Sequence, residues 1–258
     1  MCLILFAYKA KSGYDLILAA NRDEFYHRPA SPMHFWEEDP NILAGKDLKS
    51  GGTWMGIHRD KRFAALTNYR DPAEYRKDAA SRGRIITDYL GSTKSPNHFG
   101  EELKQQASRF NGFNLIWGDI GRIYSFSSRD GRILPVSPGI YGLSNALLKT
   151  PWPKVTLGKE LLRDRLKKTS SNRKTVSSND IFSILENRET PPDETLPDTG
   201  VGLETERMLS PMFIESENYG TRSSTVIIAK DSGKVDIWER TFSKGRHSVA
   251  TENHFQLR

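Results

Sequence analysis

Residues 2–8 form an unbroken apolar run, and residues 15–20 form a second after a break at Lys9–Gly13. Two short runs about Ser12-Gly13 predict a hairpin, and their unbroken apolarity predicts strands covered on both faces. The second run delivers Asn21, Arg22, Asp23 and Glu24 at its end. After a connection punctuated by Pro29, Pro32 and Pro40, residues 51–57 and 63–68 predict a second hairpin about Arg59-Asp60-Lys61. That hairpin ends in Asn68. Ser81 predicts the cap of a helix reaching Leu90, and Ser95-Pro96 the start of one running toward Phe110. Residues 113–117, 122–126 and 132–136 read as strands separated by Gly-containing turns, and a short strand over 140–143 leads into Ser144-Asn145.

The spacing of Val155, Leu157, Leu161, Leu162 and Leu166 predicts an amphipathic helix over 153–168, and 179–186 a second helix. Prolines and acids over 188–203 predict a mobile loop or lid. The chain then returns to strands over 225–229 and 235–242, about Asp231-Ser232-Gly233. Hairpins at both ends with helices between them predict an α+β fold of two antiparallel sheets with helices outside. A length of 258 residues fits one domain over 1–258.

Composition narrows the function classes. One cysteine excludes an internal disulfide framework and any multi-cysteine zinc or iron–sulfur site. The six histidines are scattered, without paired spacing for a metal. No segment approaches the ~18 apolar residues of a spanning helix, and the apolar opening is too short for a signal peptide. The expectation is a soluble, cytoplasmic protein, with organelle association left open. The net charge of +6 is interleaved with acids, as on solvated helix faces, and no basic-aromatic recognition motif accompanies it. Nucleic acid is therefore not the expected partner. A mild positive bias suits an anionic small molecule instead.

The candidate chemistry starts at Cys2. Removal of Met1 would leave a thiol and a free α-amine on one residue. The amine's ordinary pKa of about 7.7–8 lets it take the thiol proton near neutrality. Arg22, on the neighbouring strand, would favour the thiolate. The bland reading is a small buried hydrophobe in a strand.

Met1-Cys2, the stretch Asn21-Arg22-Asp23-Glu24 and Gly51-Gly52-Thr53-Trp54 together resemble the NRDE-motif family, the transport and Golgi organisation proteins. The resemblance spans essentially the whole chain and is clearest over residues 1–72. More widely, the chain resembles N-terminal cysteine hydrolases of the choloylglycine hydrolase and penicillin acylase type. That resemblance implies a four-layer αββα sandwich, N-terminal-nucleophile hydrolase-like. It also implies a catalytic set of Cys2, Arg22, Asp23, Asn68, Asn145 and Arg222. In it Asp23 would hold the α-ammonium, and Arg22 and Arg222 would favour the thiolate and meet acidic groups of a ligand. Asn68 and Asn145 would donate to an oxyanion. Asn21, Glu24 and Trp54 are further pocket candidates.

The function implied is a cysteine amidohydrolase, thioesterase or acyltransferase acting on an amide or thioester, with no cofactor required for hydrolysis. The alternative is a carrier for haem, held non-covalently, or for acyl-coenzyme A in lipid homeostasis.

Overall fold

The apolar runs become strands. β1 (Cys2–Lys11) and β2 (Tyr14–Phe25) form the first hairpin, turned at Gly13 with φ +84°. A positive φ there is one that glycine adopts without a Cβ clash. The structure, a computed structural model, describes residues 2–171, 175–243 and 249–258, without the side chains of Cys2, Ser170 and Ser171. The chain divides into two compact units. One runs to Tyr26 and resumes over Pro138–Ser144 and Leu148–Arg258; the other holds His27–Ser137 and Asn145–Leu147.

In the first unit β1 and β2 lie inside a six-stranded antiparallel sheet. Its other strands are β10 (Gly139–Leu143), β11 (Tyr219–Lys230), β12 (Val235–Phe242) and β13 (Val249–Leu257), in the order β10-β1-β2-β11-β12-β13. Alternate residues Leu3, Leu5, Ala7, Ile17, Ala19, Val226 and Ile228 point to one face. They pack on Val155, Leu162 and Leu166 of α3 (Pro153–Ser171) and on Ile181, Phe182 and Leu185 of α4 (Ser178–Leu185). Burial of each such side chain contributes about 1.5–3 kcal/mol. Gly158 sets the closeness of α3, because a Cβ there would stand 2.6 Å from the Leu5 side chain.

In the second unit seven strands follow one another in sequence. They are β3 (Ala30–Phe35), β4 (Ile42–Asp47), β5 (Met55–His58), β6 (Arg62–Asn68), β7 (Phe113–Asp119), β8 (Arg122–Ser127) and β9 (Ile133–Pro135). Ala44, Ala64, Leu66, Leu115 and Trp117 meet Ile86, Tyr89 and Leu90 of α1 (Gly83–Leu90) and Phe99 and Leu103 of α2 (Pro96–Gln106). Each unit is thus an antiparallel sheet with helices on it.

Several boundaries differ from the sequence reading. The proline-punctuated connection contains β3 and β4, whose prolines fall outside β4 and on an edge strand where a missing N–H is tolerated. Asn21–Glu24 lies within β2 rather than at its end, and β11 begins at Tyr219, so Arg222 is inside a strand. The residue preceding α1 is Arg82, not Ser81, and it makes no side-chain cap, whereas Ser95 Oγ does accept from His98 N at 3.3 Å. The 188–203 segment carries a 3-10 turn at Asp193–Thr195 and leads into α5 (Leu203–Leu209). Among the described residues no helix is long and apolar enough to cross a membrane.

Candidate functional site

Strand register fixes the site before any side chain is considered. Cys2 pairs with Arg22, and Arg22 pairs on its other side with Ser223. Directly opposed residues of antiparallel strands share a face, so one row crosses the sheet through Cys2, Arg22 and Ser223. It is the face opposite to Leu3, Asn21 and Ser224. The Cys2 side chain lies outside the described residues, as does Met1; the backbone of Cys2 opens β1. Arg22 is buried at 5% exposure and Ser223 at 4%.

The pairing of β2 with β11 is irregular between Thr221 and Ser223, and Arg222 is the extra residue there. Such a bulge re-aims a side chain. Arg222 Nη1 donates to the carbonyls of Phe25 at 2.9 Å and Tyr26 at 3.1 Å, and its guanidinium lies 5.9 Å from the Tyr26 ring centre. Burial, and then the nearby Arg22 charge, depress the affinity of Arg222 for its proton, with Glu24 acting the other way. Two arginines and one glutamate therefore share this neighbourhood. Glu24 is half-buried, and its Oε1 accepts from Phe25 N at 2.9 Å.

On the opposite face the alternation places Asn21 and Asp23. Asn21 is fully buried; its amide donates to the carbonyls of Leu185 at 2.9 Å and Met212 at 2.8 Å, and its Oδ1 accepts from Ser224 Oγ at 2.6 Å. These bonds tie the end of α4 to β2, which is structural work. Asp23 Oδ1 accepts from Thr221 Oγ1 at 2.7 Å, and its backbone carbonyl accepts from Tyr219 Oη at 3.0 Å. Burial pushes the Asp23 carboxyl above the usual carboxylate range, partly offset by the Lys154 charge and by the Thr221 hydrogen bond. Lys154, buried on α3, donates to the Leu209 carbonyl at 2.8 Å. It also lines a cavity of about 400 Å³ with Leu157, Asn187, Pro191, Pro192 and Met212.

The second unit brings Asn68 and Asn145 together. Asn145 Nδ2 donates to the Asn68 backbone carbonyl at 2.9 Å, and Arg70 N donates to the Asn145 carbonyl at 2.7 Å. Asn114 supports the same corner by donating to Thr67 Oγ1 at 3.0 Å and to the Ala146 carbonyl at 2.9 Å. Trp54 stands over Gly45, where a Cβ would come within 2.4 Å of the indole ring. Gly51 has φ +72°, and Gly52 lies against the backbone of Gly83. The Gly51–Trp54 motif accordingly does turning and packing work in its own sheet.

Ser223, Thr221 and Lys154 were not legible as site residues. The run Thr221–Ser224 is polar and precedes the strand read over 225–229, so its burial within β11 has no sequence signal. Lys154 follows a helix-starting proline and looks like a solvated helix residue.

The sequence profile described as "Transport and Golgi organisation 2" matches residues 1–244. The chain is 36% identical to the "Transport and Golgi organization protein 2 homolog" of Homo sapiens, with 93% of each chain covered. It is 34% identical to the corresponding homolog of Mus musculus, again with 93% of each covered. Among solved structures it is similar to the C2A mutant of conjugated bile acid hydrolase from Clostridium perfringens. That likeness has a TM-score of 0.55 at 11% identity, covering 99% of this chain and 92% of that one. The chain thus has the N-terminal-nucleophile hydrolase-like α+β fold that the sequence predicts.

Proposed function

The chain belongs to the Transport and Golgi organisation 2 family, and on that premise we propose that it is an acyl-transfer enzyme acting through Cys2. The observation that supports this reading most is the pairing of Cys2 with buried Arg22. A buried guanidinium favours an adjacent thiolate by charge, and the fold is shared with a conjugated bile acid hydrolase.

In the reaction we propose, Met1 is removed and the Cys2 thiol proton passes to the α-amine. The thiolate adds to an amide or thioester carbonyl, forming a C–S bond as the C=O π pair moves to oxygen. Collapse of this adduct expels an amine or thiol, which takes the proton held by the α-ammonium. Water then adds to the acyl-enzyme thioester, the C–S bond breaks, and a carboxylic acid leaves with the thiol restored. Asp23 would hold the α-ammonium, and its buried carboxyl suits a charged partner.

Intact mass of the mature chain, with turnover of p-nitroanilide and acyl thioester substrates by wild type and Cys2→Ala, tests this. Loss of Met1 together with turnover that Cys2→Ala abolishes is the expected result. Active protein that retains Met1 overturns the amine-as-base step. Binding of haem or acyl-coenzyme A with no turnover on either substrate class would replace the enzyme with a carrier. Its donors would be the Cys2 thiolate for iron and Arg22 and Arg222 for propionate or phosphate oxygens, a set chemically suited to either ligand.

A further inference from the structure

Ser223 carries an observation that the proposed reaction leaves unused. Its hydroxyl is buried, and Ser223 Oγ has no hydrogen-bond partner among the described residues. A buried hydroxyl without a partner costs free energy, and native chains rarely leave one without a use. Register places it in one row with Arg22 and Cys2, on the same sheet face. The next residue back, Arg222, is turned out of register by the bulge, and the charges of Arg22 and Glu24 act on it in opposite senses. A buried guanidinium in register with a donor hydroxyl is a pair that one anion can bridge.

We propose that Arg22, Arg222 and Ser223 form a subsite for a carboxylate or phosphate group of the ligand, with the Ser223 hydroxyl donating to one of its oxygens. Arg22 supplies charge beside Ser223 in the row, Arg222 supplies charge from the bulge, and Ser223 supplies direction. The inference rests on Cys2 being the reacting group, and it makes Ser223 a residue that selects anionic ligands. It adds to the acyl-transfer reading a requirement on the substrate: an acid group near the carbonyl that is attacked.

Cys2 is the sole cysteine of the chain, so alkylation by iodoacetamide reads this site alone. The full-length protein is labelled in inorganic phosphate, in butyrate, or in chloride at matched ionic strength. Phosphate or butyrate is expected to slow labelling more than chloride does, and the anion that protects better identifies the headgroup. Ser223→Ala is expected to need about tenfold more of that anion for the same protection, the scale of one hydrogen bond to a charged group. Each variant's protection is read against its own labelling rate without anion. Ser223→Thr, which keeps the hydroxyl, should be protected as wild type is.

Protection by chloride equal to that by the other anions overturns the subsite, as does unchanged protection in Ser223→Ala. Equal loss of protection in the Ala and Thr variants overturns the role of the hydroxyl. No turnover is needed for this readout. Failure of the acyl-transfer chemistry with anion protection intact would therefore leave the subsite standing, and the reverse pattern would remove the subsite alone.

Discussion

Arg22 and Asp23 are neighbours in the chain and lie on opposite faces of β2. Arg22 stands in the row of Cys2 and Ser223, whereas Asp23, like Asn21, faces the side that receives α3 and α4. The four-residue stretch Asn21–Glu24 is therefore two alternating pairs. Asn21 and Asp23 belong to the buried polar layer under the helices, and Arg22 and Glu24 to the other face of the strand. Adjacency in sequence becomes division of labour because strand side chains alternate.

Asn21→Ala should destabilise the fold without acting on chemistry directly. The change removes two donated bonds and one accepted bond, and leaves the Leu185 and Met212 carbonyls and the Ser224 hydroxyl to find other partners in a buried setting. The expected loss is about 2–4 kcal/mol, from several buried bonds at roughly 1 kcal/mol each plus desolvated orphan groups. Urea unfolding with an unchanged slope would show it as a lower midpoint. A loss below about 0.5 kcal/mol would mean that these bonds do not anchor α4.

Arg22→Ala should act in the opposite way, on the thiol more than on the fold. Removing the guanidinium opposite Cys2 takes away a charge that favours the thiolate, so the thiol's pKa rises. The iodoacetamide labelling profile should move to higher pH, and labelling near neutrality should slow about tenfold for every pH unit that the profile moves. An unmoved profile would separate Arg22 from the thiol.

Much of this fold is written in hydrophobic runs, and the site only partly so. The runs that became β1, β2, β5, β6, β7, β8 and β12 are continuous or bounded by clear turns, and the amphipathic spacing of α3 is plain in Val155, Leu162 and Leu166. β3 and β4 were hidden because prolines and lone polar residues interrupt them, and β13 because its residues are mostly exposed or half-exposed with mixed polarity. Cys2, Arg22 and Asp23 were legible through a motif. The face each occupies was not, since it depends on strand register. Ser223 was illegible, because a buried hydroxyl in a polar run looks like a loop residue until β11 is seen to begin at Tyr219.

Asp23→Asn should make stability less dependent on pH. Burial raises the Asp23 carboxyl above its ordinary value of 3.8 in the folded chain, so the folded form holds the proton more tightly than the unfolded one. The stabilisation linked to that proton is complete below the ordinary value and is lost as pH rises through the folded one. Asn keeps an oxygen for Thr221 and carries no charge to desolvate. The thermal midpoint of Asp23→Asn minus that of wild type should therefore grow from acid toward neutral pH and then level off. A difference that stays constant over about pH 4 to about pH 8 would assign Asp23 an ordinary titration.

Asn145→Ala tests the corner of the second unit. Its Nδ2 bond to the Asn68 carbonyl holds the end of β6 in place at 2.9 Å. The loss should cost about 1 kcal/mol, the scale of one hydrogen bond in a part-buried setting. Asn145→Asp keeps the size but offers an acceptor to that carbonyl, and should cost at least as much. Chemical denaturation of both variants checks the order. A neutral Ala variant would mean that Asn145 is kept for something other than this bond.

Gly52→Ala should be more damaging than Gly51→Ala, although the two residues look interchangeable in the sequence. Gly51 has φ +72°, so alanine there costs backbone strain of about 1 kcal/mol, but its Cβ would meet nothing within 4 Å. Gly52 has no such dihedral constraint; its added Cβ would stand 2.6 Å from the Gly83 carbonyl carbon and 2.9 Å from its Cα. Backbone cannot rotate away as a side chain can, so the start of α1 must move off the strand connection. Thr53 N, which donates to the Gly83 carbonyl at 3.3 Å, would be drawn into the same movement. Overpacking of this kind costs about 1–3 kcal/mol. Urea midpoints should therefore fall in the order wild type, Gly51→Ala, Gly52→Ala. Gly83→Ala, approaching from the other side with Thr53 O at 2.9 Å, should resemble Gly52→Ala. A Gly52 variant as stable as the Gly51 variant would show that α1 yields freely. The Gly51–Trp54 motif would then owe its form to its turn alone.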